Sequence, residues 1–225
     1  MRINIAIDGP SAAGKSTIAK KLAERLGYVH LDTGAMYRCV ALKACENHLD
    51  LNDEDALCTM LAETDIELKP DGSVYLDGKD VSHAIRTDEI SLAASSVSKH
   101  PGVRRNLVKR QQEMASSKGF IMDGRDIGTV VLKDAEVKIF MTASPEARAK
   151  RRYDQDIANG IPTSDVKTIA EEIRQRDYQD THRSASPLVK AHDAVEIDTS
   201  DMSIDEVTDR IYQLALPYLE KEADS

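Results

Sequence analysis

"INIAIDGPSAAGKS" runs from Ile3 to Ser16. Its first half, INIAI, is a short β-branched run of the kind that forms a buried strand. Its second half, Gly9 to Ser16, fits G-x-x-x-x-G-K-[ST] in full. Past Gly14, Ile18, Leu22 and Leu26 recur at i, i+4 and i+8, with Ala19 and Ala23 beside them, and Gly27 closes this helix. Strand, glycine-rich turn and helix in that order make a phosphate cradle. The glycines let the turn curl so that its N–H groups converge, and the helix N-terminus adds partial positive charge. Lys15 is placed to reach the β- and γ-phosphates of a nucleotide, and Ser16 to ligate Mg²⁺.

Outward from this stretch, strands and helices alternate. "YVHL" reads as a second strand and "GAMYRCVALKACEN" as a second helix, and a third helix starts near Asn52. Asp65 to Val81 then breaks the rhythm with Pro-Asp-Gly and Asp-Gly turns between short strands, the pattern of a small inserted antiparallel meander. Helix signals resume at Thr87 and at Pro101, which suits a first helical position. "GFIM", "VKIFMTA" and "AVEID" are further strands, and Ser144-Pro145 opens a helix with a basic face. Ser203 and Glu206 form a capping box for a terminal helix with Ile204, Val207, Ile211 and Leu214 on one face. This order predicts an α/β fold: a doubly wound, mainly parallel sheet with helices on both faces. Ligands then belong at the carboxyl ends of its strands.

The chain has 225 residues, 41% of them hydrophobic, which is enough for one sizeable domain with small inserted modules. Aromatics are only 4% and Trp is absent, so the core must be aliphatic. Its net charge of −9 argues against wholesale nucleic-acid or acidic-membrane binding, which needs a basic field. Cys39, Cys45 and Cys58 have no metal or disulfide spacing and read as reduced thiols. No run of about 18 apolar residues exists, and Asp8 interrupts the N-terminal apolar stretch too early for a signal peptide, so a cytoplasmic protein is expected.

A guanine-reading N-K-x-D and a transporter-type LSGGQ are both missing, which favours a small kinase. Transfer between phosphate groups gathers negative charge, so catalysis needs cations. Arg38 follows the second strand; Arg104, Arg105 and Arg110 share one segment. Arg148, Arg151 and Arg152 share a helix face. Arg176, Asp180 and Arg183 fall at i, i+4 and i+7 and share another if the helix continues that far. Any one of these clusters alone reads better as a solvated face; four around one phosphate loop point to a site. Asp180 is either a structural ion pair or an acceptor for a sugar hydroxyl. In "MDGRD", Asp123 holds a Walker-B-like position at a strand end, either reaching the metal through water or serving the turn. The six histidines are scattered and none is assigned to catalysis.

Six segments together resemble the bacterial cytidylate kinases, the CMP/dCMP kinases among the P-loop nucleoside monophosphate kinases. They are "IDGPSAAGKST", "LDTGAMYR", "IRTDEISLAASSVSKHPGVRRNLVKRQQ", "MDGRDIGTVV", "VKIFMTASPEARAKRR" and "RDYQDTHRSASPLVKA", which run through nearly the whole chain. The resemblance implies transfer of the γ-phosphate of ATP to CMP or dCMP with Mg²⁺, by a protein that is usually monomeric. It makes Gly9, Pro10, Ser11, Ala12, Ala13, Gly14, Lys15, Ser16 and Thr17 the ATP phosphate loop. Thr33, Arg38, Ser95, Arg104, Arg125, Asp126, Arg176, Asp180 and Arg183 become the acceptor site. Lys15, Arg125, Arg176 and Arg183 would stabilise the transferring group. Either Ser16 or Thr17 holds the metal, with Asp123 acting through water. The implied division is a core of residues 1–38, 101–147 and 161–225, a monophosphate-binding domain of 39–100 with its insert near 65–81, and a lid of 148–160 bearing Arg148, Arg151 and Arg152.

The expected chemistry is direct in-line transfer, since the acceptor phosphate is already an anionic nucleophile and no Ser-His-Asp arrangement is evident. The alternatives are another small-molecule kinase acting on UMP or AMP, and a nucleotide-binding protein that is not a kinase.

Overall fold

A computed structural model describes residues 2–158, 160 and 163–219. Asn159 of the expected lid, and Met1, Ile161, Pro162 and residues 220–225 of the expected core, lie outside the described residues.

Five parallel strands lie in the order β2-β6-β1-β7-β8. They are β1 (Ile5–Asp8), β2 (Val29–Asp32), β6 (Phe120–Gly124), β7 (Val137–Thr142) and β8 (Val195–Asp198). Alternation in β1 decides which layer covers which face. Ile5 and Ile7 point to α1 (Lys15–Leu26) and α8 (Ile204–Leu219), packing with Ile18, Leu22, Val207 and Ile211. Ala6 points the other way, into a cluster with Leu31, Met122, Ile127 and Val131. The doubly wound reading therefore holds. "AVEID" is the edge of the sheet, and Val195, Glu196 and Asp198 are exposed along it.

A third cluster is built away from the sheet. It joins α2 (Thr33–Glu46), α3 (Glu54–Ala62), α4 (Asp88–Val97) and α5 (Pro101–Met114) through Met36, Val40, Leu57, Leu61, Val97 and Leu107. The inserted meander is β3 (Ile66–Leu68), β4 (Val74–Leu76) and β5 (Lys79–Asp80), a separate antiparallel sheet whose Ile66, Val74 and Leu76 join this cluster. Because Val103 and Leu107 pack here, α5 shares its core with residues 39–100.

Local signals hold with small shifts. The cap of α3 is Asp53, whose carboxylate accepts from Ala56 N–H, one residue past the expected Asn52. Thr87 caps α4, Pro101 opens α5, and Ser203 with Glu206 forms the capping box of α8. Ile204 shares the α8 face as expected yet is exposed, since it lies past the edge of the core. α6 (Pro145–Ala158) is one continuous helix packed against α7 (Val166–His182). α7 stops at His182, so Arg183 does not share its helix face; its backbone is extended, at φ −66° and ψ 145°.

Candidate active site

At the carboxyl ends of the strands a cleft of about 720 Å³ opens between the sheet and the cluster of α2 to α5. One end is the phosphate loop. Gly9 is obligatory there, because it crosses β7 so closely that a Cβ would sit 2.2 Å from Met141 O. Gly14 takes a left-handed conformation at the start of α1, and Ala12 adopts φ +57° in the same turn. Lys15 is buried and its Nζ donates to Pro10 O at 2.7 Å, which holds the ammonium inside the loop. Burial, and after it the Arg125 charge, lower its pKa to about 7.

Ser16 Oγ donates to Asp123 Oδ2 at 2.7 Å. A hydroxyl and a carboxylate from two neighbouring elements thus converge, and such hard oxygen donors suit Mg²⁺ when substrate phosphates and water complete the shell. Asp123 Oδ1 is 2.6 Å from His30 Nε2. Burial opposes a charge on this imidazole, but Asp123 and then Asp32 outweigh it and raise its pKa above the ordinary value. His30 was set aside on sequence grounds. It stands opposite Ile121, two register steps from the Asp32–Asp123 pair and so on the same face of the sheet, and only the pairing of β2 with β6 brings it to the carboxylate.

The middle of the cleft gathers four arginines. Arg38 donates to Asp32 Oδ2 at 2.6 Å, while Asp32 also caps α2 by accepting from Ala35 N–H. Arg125 Nε donates to Asp180 Oδ2 at 2.7 Å. Arg183, although past the helix end, turns back: its Nε donates to Ser186 O at 2.8 Å and its Nη1 lies 3.7 Å from Asp180. Arg176 makes no salt bridge among the described residues, and its Nε is buried without a partner. Burial, then the Arg125 charge, lower its pKa to about 10. Asp180 moves the other way, since Arg125, Arg176 and Arg183 outweigh its burial and hold its pKa low. So Asp180 is at least an ion pair, and three cations around one carboxylate leave an excess of positive charge facing the cleft.

At the far end Asp126 and Arg104 form a buried pair at 2.5 Å. Arg104 Nη1 also donates to Ser98 O at 3.2 Å, and its guanidinium lies 5.2 Å from the ring centre of Tyr37. Burial pushes the Tyr37 phenol up to about 12. Ser95 and Thr33 line the same space; Thr33 Oγ1 donates to Asp123 O at 2.8 Å, tying α2 to the end of β6. Tyr37 was legible as a neighbour of Arg38, but its place under Arg104 depends on how α2 packs on α5.

The basic clusters separate here. Arg110 donates to Leu61 O and Thr64 O, at the exit of α3, and Arg105 does not line the cleft. Arg151 and Arg152 line the cleft and Arg148 does not. Arg148 is 3% exposed, and it donates to Ala143 O at 2.9 Å, Ser11 O at 2.9 Å and Asp177 Oδ2 at 2.6 Å. It fastens α6 to the phosphate loop rather than serving with Arg151 and Arg152. Arg151 donates to the carbonyls of Thr199 and Ser200, and Arg152 pairs with Asp88 at the start of α4, across the cleft mouth. Near Arg151 the wall is apolar, formed by Met202, Ile204 and Val207, so the apolar face of α8 that its spacing assigns to the core also reaches the site.

The cytidylate kinase family model matches residues 5–216. A cytidylate kinase from Anoxybacillus flavithermus is 54% identical over 213 residues, covering 93% of this chain and 94% of that protein. One from Bacillus subtilis is 52% identical over 215 residues, covering 94% and 96%. Among solved structures, a shikimate kinase from Bacteroides thetaiotaomicron aligns with a TM-score of 0.51 at 13% identity, over 95% of this chain and 98% of that one. A gluconokinase from Sinorhizobium meliloti 1021 aligns at 0.50 with 13% identity, over 98% of each chain. Identities this low speak for a shared fold alone, whereas relatives more than half identical along nearly the whole chain, with a family model of the same span, place the protein in the cytidylate kinase family of nucleoside monophosphate kinases.

Proposed function

We propose that this kinase transfers the γ-phosphoryl group of ATP to CMP or dCMP in one in-line step. The observation that carries the reading is a single cleft lined by the phosphate loop, the arginines and the Arg104–Asp126 pair, in which Arg125 acts on Lys15 and Arg183 feels Arg104 and Asp126. Gly9 to Thr17 would wrap the donor phosphates, with Lys15 on the β- and γ-oxygens. Ser16 and Asp123 fit Mg²⁺, Asp123 through water; when bound, the metal would neutralise charge on the bridging phosphate oxygens. Arg38 would hold the acceptor phosphate, and Arg125, Arg176 and Arg183 would stabilise the group in flight. Arg176 fits this best, as a desolvated cation that pairs with no carboxylate among the described residues. Asp180 would accept from the sugar while pinned by Arg125.

Asp126 would read the base, with Arg104 and Ser95 beside it. A carboxylate accepts from the exocyclic amine of cytosine and repels the uracil carbonyl at the same place. Residues 39–100 would act as the monophosphate-binding domain, and 148–160 as a lid through Arg151 and Arg152, which excludes water on closure. A monomer in the cytoplasm fits the reading.

The test is an acceptor panel with ATP and Mg²⁺. CMP and dCMP should be phosphorylated far faster than UMP or AMP. Clear preference for AMP, or for an acceptor that is not a nucleotide, overturns the reading.

A further inference from the structure

Asp126 begins a π-helical turn, Ile127–Val131, whose Val130 and Val131 N–H groups donate to Asp126 O. An Asp in that position ordinarily folds its carboxylate back onto the N–H of the second or third residue of its own turn. Here it does not: the carboxylate lies with Arg104, and no side chain of the turn itself supplies a cap. The first N–H groups of the turn are satisfied from a different strand. Asp8, the last residue of β1 and the one just before the phosphate loop, accepts from Ile127 N–H through Oδ1 and from Gly128 N–H through Oδ2, both at 2.7 Å. Asp8 is 3% exposed and is paired in register with Gly124, the last residue of β6, so the sheet brings its carboxylate to the turn that follows that strand.

We infer that Asp8 is a positioning residue for acceptor specificity: by capping the Ile127–Val131 turn from β1, it frees the Asp126 carboxylate to face the cleft with Arg104. The inference rests on the base-reading role proposed for Asp126. Without the Asp8 carboxylate, two buried N–H groups lose their acceptor, and Asp126, as the residue before the turn, is placed to accept from one of them, Gly128 N–H. Its side chain would then turn from reading the base to capping its own turn. The same bridge ties the donor loop to the acceptor loop, since Asp8 and Gly9 are consecutive.

The experiment uses Asp8→Asn in the full chain. Asn keeps the shape and offers one acceptor where the carboxylate offers two. The ratio of kcat/KM for CMP over UMP should fall about tenfold or more, mainly through KM for CMP, as expected for loss of one charge-assisted hydrogen bond. Binding of a fluorescent ATP analogue without acceptor should stay within about twofold, the level of an unaffected phosphate loop. In an Asp126→Asn background, Asp8→Asn should lower the ratio no further, because the effect passes through Asp126. An unchanged ratio in a folded Asp8→Asn protein overturns the inference, and so does an equal further fall in the Asp126→Asn background. If Asp8→Asn does not fold, Gly128→Ala serves instead: its Cβ would lie 3.3 Å from Asp8 Oδ2, and the ratio should shift in the same direction. An unchanged ratio in Gly128→Ala counts equally against the inference. A wild-type protein that prefers AMP sinks the cytidylate reading itself, a different outcome from an insensitive ratio.

Discussion

Lys15 and Asp8 illustrate how burial tunes single residues around the phosphate loop. Lys15 is desolvated and held by a carbonyl rather than by a carboxylate, which leaves its charge for an incoming phosphate. Lys15→Ala should lower kcat by roughly 10²- to 10³-fold, the usual cost of one lost transition-state donor. Circular dichroism should show the fold intact; unchanged turnover would remove the assignment. For Asp8, burial raises the pKa to about 6, against two backbone hydrogen bonds that lower it. A raised acid binds its proton more tightly in the folded chain, so this residue favours the fold in acid. That contribution fades as pH climbs from about 4 to about 6, and it amounts to about 3 kcal/mol for a shift of some two units. Urea unfolding across this range, with Asp8→Asn as the reference, should show the native protein losing ground to the variant by about that amount. A flat difference would contradict the burial account.

At the scale of elements, α6 carries two kinds of arginine on one helix. Arg148 is buried and bonds to three segments, whereas Arg152 meets an exposed Asp88. Arg148→Met should cost about 3 kcal/mol, because it strands the Asp177 carboxylate and the Ser11 carbonyl. Arg152→Ala should cost less than about 1 kcal/mol, as exposed pairs do, and should show its effect in kcat/KM instead. Denaturant unfolding of both variants checks the contrast. The sequence pattern identified α6 and its basic face, since 3.6-residue spacing is local information. It did not separate Arg148 from Arg151 and Arg152, because that depends on the loop after Ala143 and on the approach of α7. The end of α7 was similarly hidden: spacing grouped Arg183 with Arg176 and Asp180, yet Arg183 reaches the cluster as the extended residue that follows the helix.

Across the whole molecule, the packed sheet and the α2–α5 cluster flank one cleft, so packing on either side should be felt as binding at one end. Leu107 is fully buried in the cluster of α2 to α5. Leu107→Ala should cost about 2–5 kcal/mol of stability. It should also raise KM for the acceptor more than for the donor, measured by varying each substrate in turn; an equal rise in both would mean that the two sides are not mechanically distinct. The strands, the parallel sheet, the inserted meander and the phosphate loop were all determined by the sequence itself. Each depends on short-range periodicity, on turn residues, or on a motif whose glycines have one geometric use. Tertiary structure alone decided which polar groups meet. His30 reaches Asp123, Asp8 caps the turn after Asp126, and Arg148 grips Ser11, all across strand or helix contacts between residues distant in sequence. Nothing in local spacing encodes such meetings, because they form only when buried donors and acceptors must find partners within a packed fold.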